Sequence, residues 1–291
     1  MKYLKNTLRD ILRFFLGKKI YIYIRFILVH KYIPSIKNPS SFSEKIIFRK
    51  LHDDPQKYSK FVDKYTVRSY VENKIGNEYL IPLIKIFNKI DSQDFSSLPN
   101  SFVIKTSNGG GGENVKIIYN KKNEDLQSIS NQFNKYVKIK IGSKIDEYFY
   151  DIEEPKIIIE QLLLDDSGNV PSDFKFHIFN NKERKIIIQI DEDRFINHKR
   201  SLFDEKKNEL EFQIQPKYPP ISKNFNWPNN LDEMINIAIK LSSDFKYARI
   251  DLYNLNGKIF FSELTFCHGS GWEPIYPKKY DFLLGQYWHE Y

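Results

Sequence analysis

The chain has 291 residues, and its 41% hydrophobic content, with 23 Phe and 19 Tyr, is enough for a sizeable core; wholesale disorder is excluded. Its net charge of +8 sits at one end: residues 1–37 carry nine Lys and Arg against Asp10 alone, and the other 36 basic and 36 acidic residues cancel. That is not the broad patch of a nucleic-acid groove, and one cysteine, Cys267, excludes a disulfide framework or a multi-cysteine metal cluster and suits a reducing, cytoplasmic setting.

Residues 1–37 are expected to form a basic helical extension. The longest apolar run, residues 20–29, contains Arg25 and is too short and too charged to span a bilayer. No small-residue cleavage site follows it, so a signal peptide is not expected. Two readings stay open. The helices pack on the domain with their basic residues toward water, or they rest on an anionic membrane surface.

A capping box, Ser41 with Glu44, starts a helix before the apolar run IIF. Asp54-Pro55 opens a second helix expected to reach about Lys74, with Gly76 as its stop. Along it Lys60, Lys64 and Arg68 recur every four residues, either as a solvated face or as a row that addresses phosphates or a carboxylate. Strands are expected near residues 79–87, interrupted by Pro82, at 102–105 and at 115–119.

Between the last two lies TSN followed by Gly109, Gly110, Gly111 and Gly112. Four consecutive glycines cost conformational entropy. The loop runs from strand to strand and lacks GK[ST], so it is neither a P-loop nor a dinucleotide fingerprint. Such a hairpin either closes its backbone N–H groups over nucleotide phosphates, with Lys105 reaching them, or is a flexible tip. A polar helix is expected at about 123–140. The apolar strand 156–164 is interrupted only by Glu160-Gln161, groups suited to an adenine amine and ribose hydroxyls or to a solvated strand edge. DFKFHIF (173–179) alternates, with Asp173, Lys175 and His177 on one face. Another strand, 185–190, precedes three acids, and Arg194, His198 and Arg200 then cluster in a segment too polar for core.

After an amphipathic helix at 231–243 comes a hairpin whose turn is Asn256-Gly257. Arg249, Asp251 and Tyr253 share one face of its first strand; Glu263 and Thr265 share a face of the second. An even register sum would set Asp251 beside Glu263, and a divalent cation with hard oxygen ligands would offset their repulsion. Otherwise they are solvated acids. Cys267 and His268 are neighbours on extended chain and point apart, so they are not read as a catalytic pair. No Ser/His/Asp nucleophile set is evident.

SFSEK (41–45), DKYTVRSYV (63–71), IKTSNGGGGEN (104–114), EQLL (160–163), DFKFHIF (173–179), DRF (193–195), RIDLY (249–253) and ELTF-HGSG (263–271) occur in that order. Together they resemble the ATP-grasp superfamily, and most closely its teichuronopeptide-biosynthesis type from bacterial polysaccharide clusters, over about residues 38–285. The resemblance implies an α+β fold with two lobes clasping ATP. The catalytic region would be 38–291, with a glycine-loop lobe at about 100–155 and a C-terminal lobe at about 156–285. It implies that Lys105 and the glycine loop cover ATP phosphates, Glu160 and Gln161 hold adenosine, and Lys175 touches phosphates. Asp251 and Glu263 would bind Mg²⁺, with Thr265 where many relatives have Asn, and Arg249 would stabilise the transferring phosphoryl group. Lys64, Arg68, Arg194, His198, Arg200 and the His268-Gly269-Ser270 turn are the expected substrate contacts.

The implied reaction joins a carboxylate to an amine through an acyl-phosphate, on an acidic sugar or lipid-linked polysaccharide precursor with an amino acid as the amine. A metal-dependent glycosyltransferase using Asp191-Glu192-Asp193, a sugar kinase and a non-catalytic basic binding protein are the alternatives.

Overall fold

The computed structural model describes residues 2–110, 112, 114–192 and 197–291, with side chains from residue 9 onward. Gly111 and the DRF motif, including Arg194, lie outside the described residues. The chain begins with helix α1 (Lys2–His30), bent at Gly17, where φ is 71°. Helix α2 (Phe42–His52) starts at the expected capping box: Ser41 Oγ accepts from Glu44 N, and the Glu44 carboxylate accepts from Ser41 N.

The single helix expected over residues 54–74 is instead broken into α3 (Ser59–Val62) and α4 (Val67–Ile75). Asp63 is the cause. Its Oδ1 accepts from Tyr65 N and Thr66 N, and its Oδ2 from Ser107 Oγ, a local alternative to helix hydrogen bonding. Lys60, Lys64 and Arg68 therefore lie on three different segments rather than in one row.

Strands β1 (Leu83–Phe87), β2 (Phe102–Thr106), β3 (Val115–Ile118) and β4 (Ile157–Glu160) form an antiparallel sheet in the order β1-β4-β2-β3. Because β4 lies between β1 and β2, the glycine-hairpin lobe extends from 83 to 160, wider than the expected 100–155. Helices α5 (Leu126–Tyr136) and α6 (Ile141–Ile145) are inserted before β4. Alternation along β2 puts Phe102 and Ile104 into a core with Ile129 and Phe133 of α5, and leaves Val103 and Lys105 on the other face.

A second antiparallel sheet, β10-β9-β5-β6-β7, is built from β5 (Asp173–Phe179), β6 (Lys185–Glu192), β7 (Lys199–Phe203), β9 (Tyr247–Leu255) and β10 (Lys258–Thr265). Strand β8 (Gln213–Ile214) pairs with β11 (Ile275–Tyr276), and helix α8 (Lys279–Tyr287) follows. Phe174, Phe176, Ile188 and Ile250 pack with Met234, Ala238 and Leu241 of α7 (Leu231–Ser242). Each such side chain contributes about 1.5–3 kcal/mol when fully buried. The opposite face of this sheet carries the polar residues, and they too are buried.

Candidate active site

The tight turn fixes the phase of the β9–β10 hairpin. Asn256 and Gly257 both have positive φ, and Leu255 faces Lys258. Continued without interruption, that pairing would turn Glu263 to the face opposite Asp251. The register shifts between Phe261 and Glu263, with Ser262 as the extra residue of a bulge, and Glu263 then pairs with Asp251 and Thr265 with Arg249. Thr265 Oγ1 donates to Glu263 Oε1 at 3.2 Å.

Around this pair the polar face is continuous. Lys175 pairs with Asp251 and His177 with Arg249 across β5 and β9, and Gln189 with Lys175 across β6. Arg249 Nε and Nη2 donate to the two oxygens of Asp251 at 2.7 and 2.8 Å, and Nη1 donates to His268 Nδ1 at 2.8 Å. Burial alone lowers the Arg249 guanidinium, but Asp251 and Glu263 more than offset it and its proton is held well above the ordinary range. Burial lowers His268, partly opposed by Glu273, whose Oε2 lies 3.2 Å from His268 Nε2. Arg200 bridges Glu273 at 2.7 Å and Asp191 at 2.6 Å, and His198 Nε2 stands 3.1 Å from Asp191.

Lys175 Nζ, like His198 Nε2 and His268 Nε2, is buried without an aligned hydrogen-bond partner. It lies 2.9 Å from Asp173, 3.4 Å from Asp191 and 3.5 Å from Asp251, yet none is aligned to accept a hydrogen bond. A buried ammonium without an aligned acceptor is costly unless a further acceptor arrives.

Facing this sheet is a cavity of about 120 Å³ lined by Lys64, Lys105, Gly110, Gly112, Glu160–Leu163, Tyr253, Ser262 and Glu263. A side-chain carbon at Gly110 would lie 3.7 Å from both Glu263 Oε1 and Tyr150 Oη, so Gly110 stands close to Glu263. Gly109 has φ 76°, and a Cβ there would meet Ile141 at 2.5 Å, which makes glycine obligatory. Lys64 Nζ donates to Gly109 O and holds the loop down. Burial lowers the Lys64 ammonium, with Glu263 partly opposing. Lys105 Nζ lies 2.6 Å from Glu160 Oε2, and Arg68 lies 3.5 Å from Glu160 Oε1.

The expected site residues are placed as follows. The Glu160 carboxylate is paired with Lys105 and Arg68, and Gln161 is exposed in the cavity wall. The expected substrate contacts divide: Lys64 and Arg68 belong to the cavity side, while His198, Arg200 and His268 form the chain around Asp191 and Glu273. Arg200 is buried in a strand, not in a polar loop, because two carboxylates neutralise it. The HGSG turn also has fewer backbone donors to offer than expected. Ser270 N donates to Cys267 O and Trp272 N to Gly269 O, and the Ser270 side chain and carbonyl are held by Lys50 Nζ at 2.7 and 3.0 Å. Gly269 is fixed by φ 53° and by Glu273, 2.5 Å from where a Cβ would sit. Cys267 is buried, its thiol pushed up by burial and by Glu147, so it stays protonated and unreactive.

Sequence reasoning passed over Lys50, Glu147, Tyr150 and Glu273. Glu273 follows the glycine turn closely enough to fold back on His268, a legible signal. Lys50 in the last turn of α2 reads only as a helix-dipole partner. A larger, shallow cleft of about 1170 Å³, lined by residues such as Lys182, Glu183 and Arg184, contains none of the expected site residues.

The model of the TupA-like ATP-grasp family matches residues 44–289. The chain belongs to that family. Its fold is the α+β ATP-grasp fold, with β5, β9 and β10 carrying the acidic and basic residues of the larger sheet and the glycine hairpin projecting from the smaller. No curated protein matches the chain. Similar solved structures include a D-alanine–D-alanine ligase from Helicobacter pylori, 17% identical over 79% of this chain and 61% of that one, TM-score 0.43. An L-amino acid ligase from Bacillus licheniformis is 15% identical over 75% of this chain and 45% of that one, TM-score 0.44. An N5-carboxyaminoimidazole synthetase from Staphylococcus aureus complexed with ADP is 13% identical over 77% and 50%, TM-score 0.42. The chain spans about half the length of these proteins.

Proposed function

We propose that the protein is an ATP-dependent carboxylate–amine ligase that joins an amino acid to an acidic sugar of a surface-polysaccharide precursor. The observation that carries this reading is the pairing of Asp251 with Glu263 on a buried face that also holds Arg249 and Lys175, close to a glycine hairpin flanked by Lys105. Family membership supports the ATP-dependent ligase chemistry; the polysaccharide setting rests on the motif resemblance to the teichuronopeptide-biosynthesis type.

The donor set fits Mg²⁺–ATP. Two carboxylates and the Thr265 hydroxyl are hard oxygen donors, and among the described residues no group of three or more His, Cys, Asp or Glu forms a closed metal cage. That suits an ion that completes its shell with phosphate oxygens and water. When bound, Mg²⁺ would neutralise charge on the transferring phosphoryl group. Lys175 Nζ, buried without an aligned acceptor, would donate to a phosphate oxygen, and Lys105 would do so from the opposite lobe. Arg249 offers fixed positive charge where negative charge develops. The substrate carboxylate oxygen attacks the γ-phosphorus and ADP leaves; the amine then attacks the acyl carbon, losing a proton, and phosphate leaves.

The test is incubation with ATP, Mg²⁺, uronic acids and an amino-acid pool, followed by mass spectrometry. ADP and phosphate release with a mass gain of amino acid minus water is expected. Gain of one phosphoryl group would make the protein a kinase. Thermal stabilisation by a nucleotide sugar but not by ATP would overturn the reading. Glu263→Gln should lower turnover more than about a hundredfold with the fold intact.

A further inference from the structure

Helix α1 presents an apolar side to solvent and turns three of its cations, Arg13, Lys18 and Arg25, toward the protein. Of the fifteen exposed large hydrophobic residues among the described side chains, nine lie within residues 11–33. Phe14 and Phe15 are 83% and 78% exposed, and Leu28 is 64% exposed. In the second half of the helix Ile20, Ile24 and Leu28 recur every four residues along the outer face, while Ile22, Phe26 and His30 recur at the same interval along the buried one. This segment is therefore apolar on two sides.

Three of the basic residues expected to face water are turned inward. Arg13 Nη2 is 2.8 Å from Asp146 Oδ1, Lys18 Nζ is 3.0 Å from Tyr148 Oη, and the Arg25 guanidinium lies 4.0 Å above the Trp272 ring. His30 Nε2 meets Gly271 O at 2.9 Å. These contacts clamp the helix to the domain in an orientation that exposes its apolar face. The expectation of basic residues toward water is thus reversed for Arg13, Lys18 and Arg25.

We propose that the outer face of α1 lies in the headgroup region of an anionic membrane. Charge selects this occupant over a second copy of the chain. Lys19, Lys31 and Lys37 are exposed along the segment, and its one acid, Asp10, is 2.9 Å from Arg9. A twofold contact through this face would bring two segments of net +8 together, whereas an anionic lipid surface attracts them. No helix among the described residues is long and apolar enough to cross a membrane, so the helix lies in the surface, with Phe14, Phe15 and Leu28 below the headgroups. The bend at Gly17 has room for a side chain, and its φ of 71° is what requires glycine there. Arg13 holds Asp146 beside Glu147, which stands 4.0 Å from Lys50 near the HGSG turn. Docking would thus bring that end of the site toward the bilayer, as a lipid-linked acceptor requires. That last point rests on the ligase reading; the docking does not.

The test is flotation of the full chain with vesicles of phosphatidylcholine alone or with roughly one-third phosphatidylglycerol. The protein should float with the anionic vesicles, and high salt should reduce the bound fraction. The triple variant Phe14→Ser/Phe15→Ser/Leu28→Ser should bind at least about tenfold less, with unchanged circular dichroism and thermal midpoint, because all three side chains are exposed. Wild-type protein that stays unbound on anionic vesicles, or a triple variant that floats as well as wild type, overturns the proposal. So does light scattering that shows a wild-type dimer converted to monomer by the triple variant, since a second copy would then cover the face.

Discussion

The two sheets obey the same alternation rule and use it differently. In the four-stranded sheet the cavity face is sparse, and one ion pair, Lys105 with Glu160, is braced by Arg68 from α4. In the five-stranded sheet each charged group on the polar face has at least two neighbours: Arg249 touches Asp251 and His268, Arg200 touches Asp191 and Glu273, and Lys175 lies among three carboxylates. The difference separates a fixed half from a half that can move. Charges buried deep in a network lose most when one member is removed, whereas a pair on a sheet that carries a glycine hairpin can part without unfolding anything.

The largest expected effect breaks the fixed half. Arg249→Ala strips Asp251 of its bidentate partner and leaves His268 Nδ1 unmet. Removal of one member of such a buried pair costs about 3–5 kcal/mol. Urea unfolding should show that loss together with abolished ATP turnover. Stability unchanged within about 1 kcal/mol would mean the network is not the rigid half.

Lys105→Met tests the other sheet. Both pairs are equally buried, but Glu160 keeps Arg68 at 3.5 Å, so the stability loss should fall below the roughly 3–5 kcal/mol of a buried pair left with an unpaired charge. Mg²⁺–ATP affinity, read by calorimetry, should nevertheless fall by about ten- to a hundredfold if Lys105 contacts phosphate as proposed. Equal losses of stability from Lys105→Met and Arg249→Ala would erase the contrast between the sheets.

Much of this contrast was legible in the sequence. The D-F-K-F-H-I-F alternation assigns Lys175 and His177 to the polar face, and the strand–glycine–strand order assigns the hairpin. What escaped was set by tertiary partners. Lys199-Arg200-Ser201 reads as loop because nothing nearby neutralises Arg200; its carboxylates come from β6 and from beyond the HGSG turn. The break between α3 and α4 depends on Ser107 and two backbone N–H groups converging on Asp63. Helix α8 escaped because its aromatic residues, leading to the fully buried Trp288, carry no clean helical period. Strand β4 was read as the start of the second lobe, since sequence order does not reveal that it inserts between β1 and β2.

The smallest expected effect concerns the bulge, and it sharpens the distinction between chemistry and phase. Ser262 shifts the register by one residue so that Glu263 faces Asp251 despite a two-residue turn. Deletion of Ser262 would move Glu263 one place toward the turn, to the position that the uninterrupted pairing of Leu255 with Lys258 sets opposite Asp251. The carboxylates would still meet. If the bulge serves only to repair the phase, the deletion variant should bind Mg²⁺–ATP within about tenfold of wild type, far above Glu263→Gln. A loss as deep as that of Glu263→Gln would mean that the extra residue also aims Glu263 into the cavity, which bulges beside active sites are known to do.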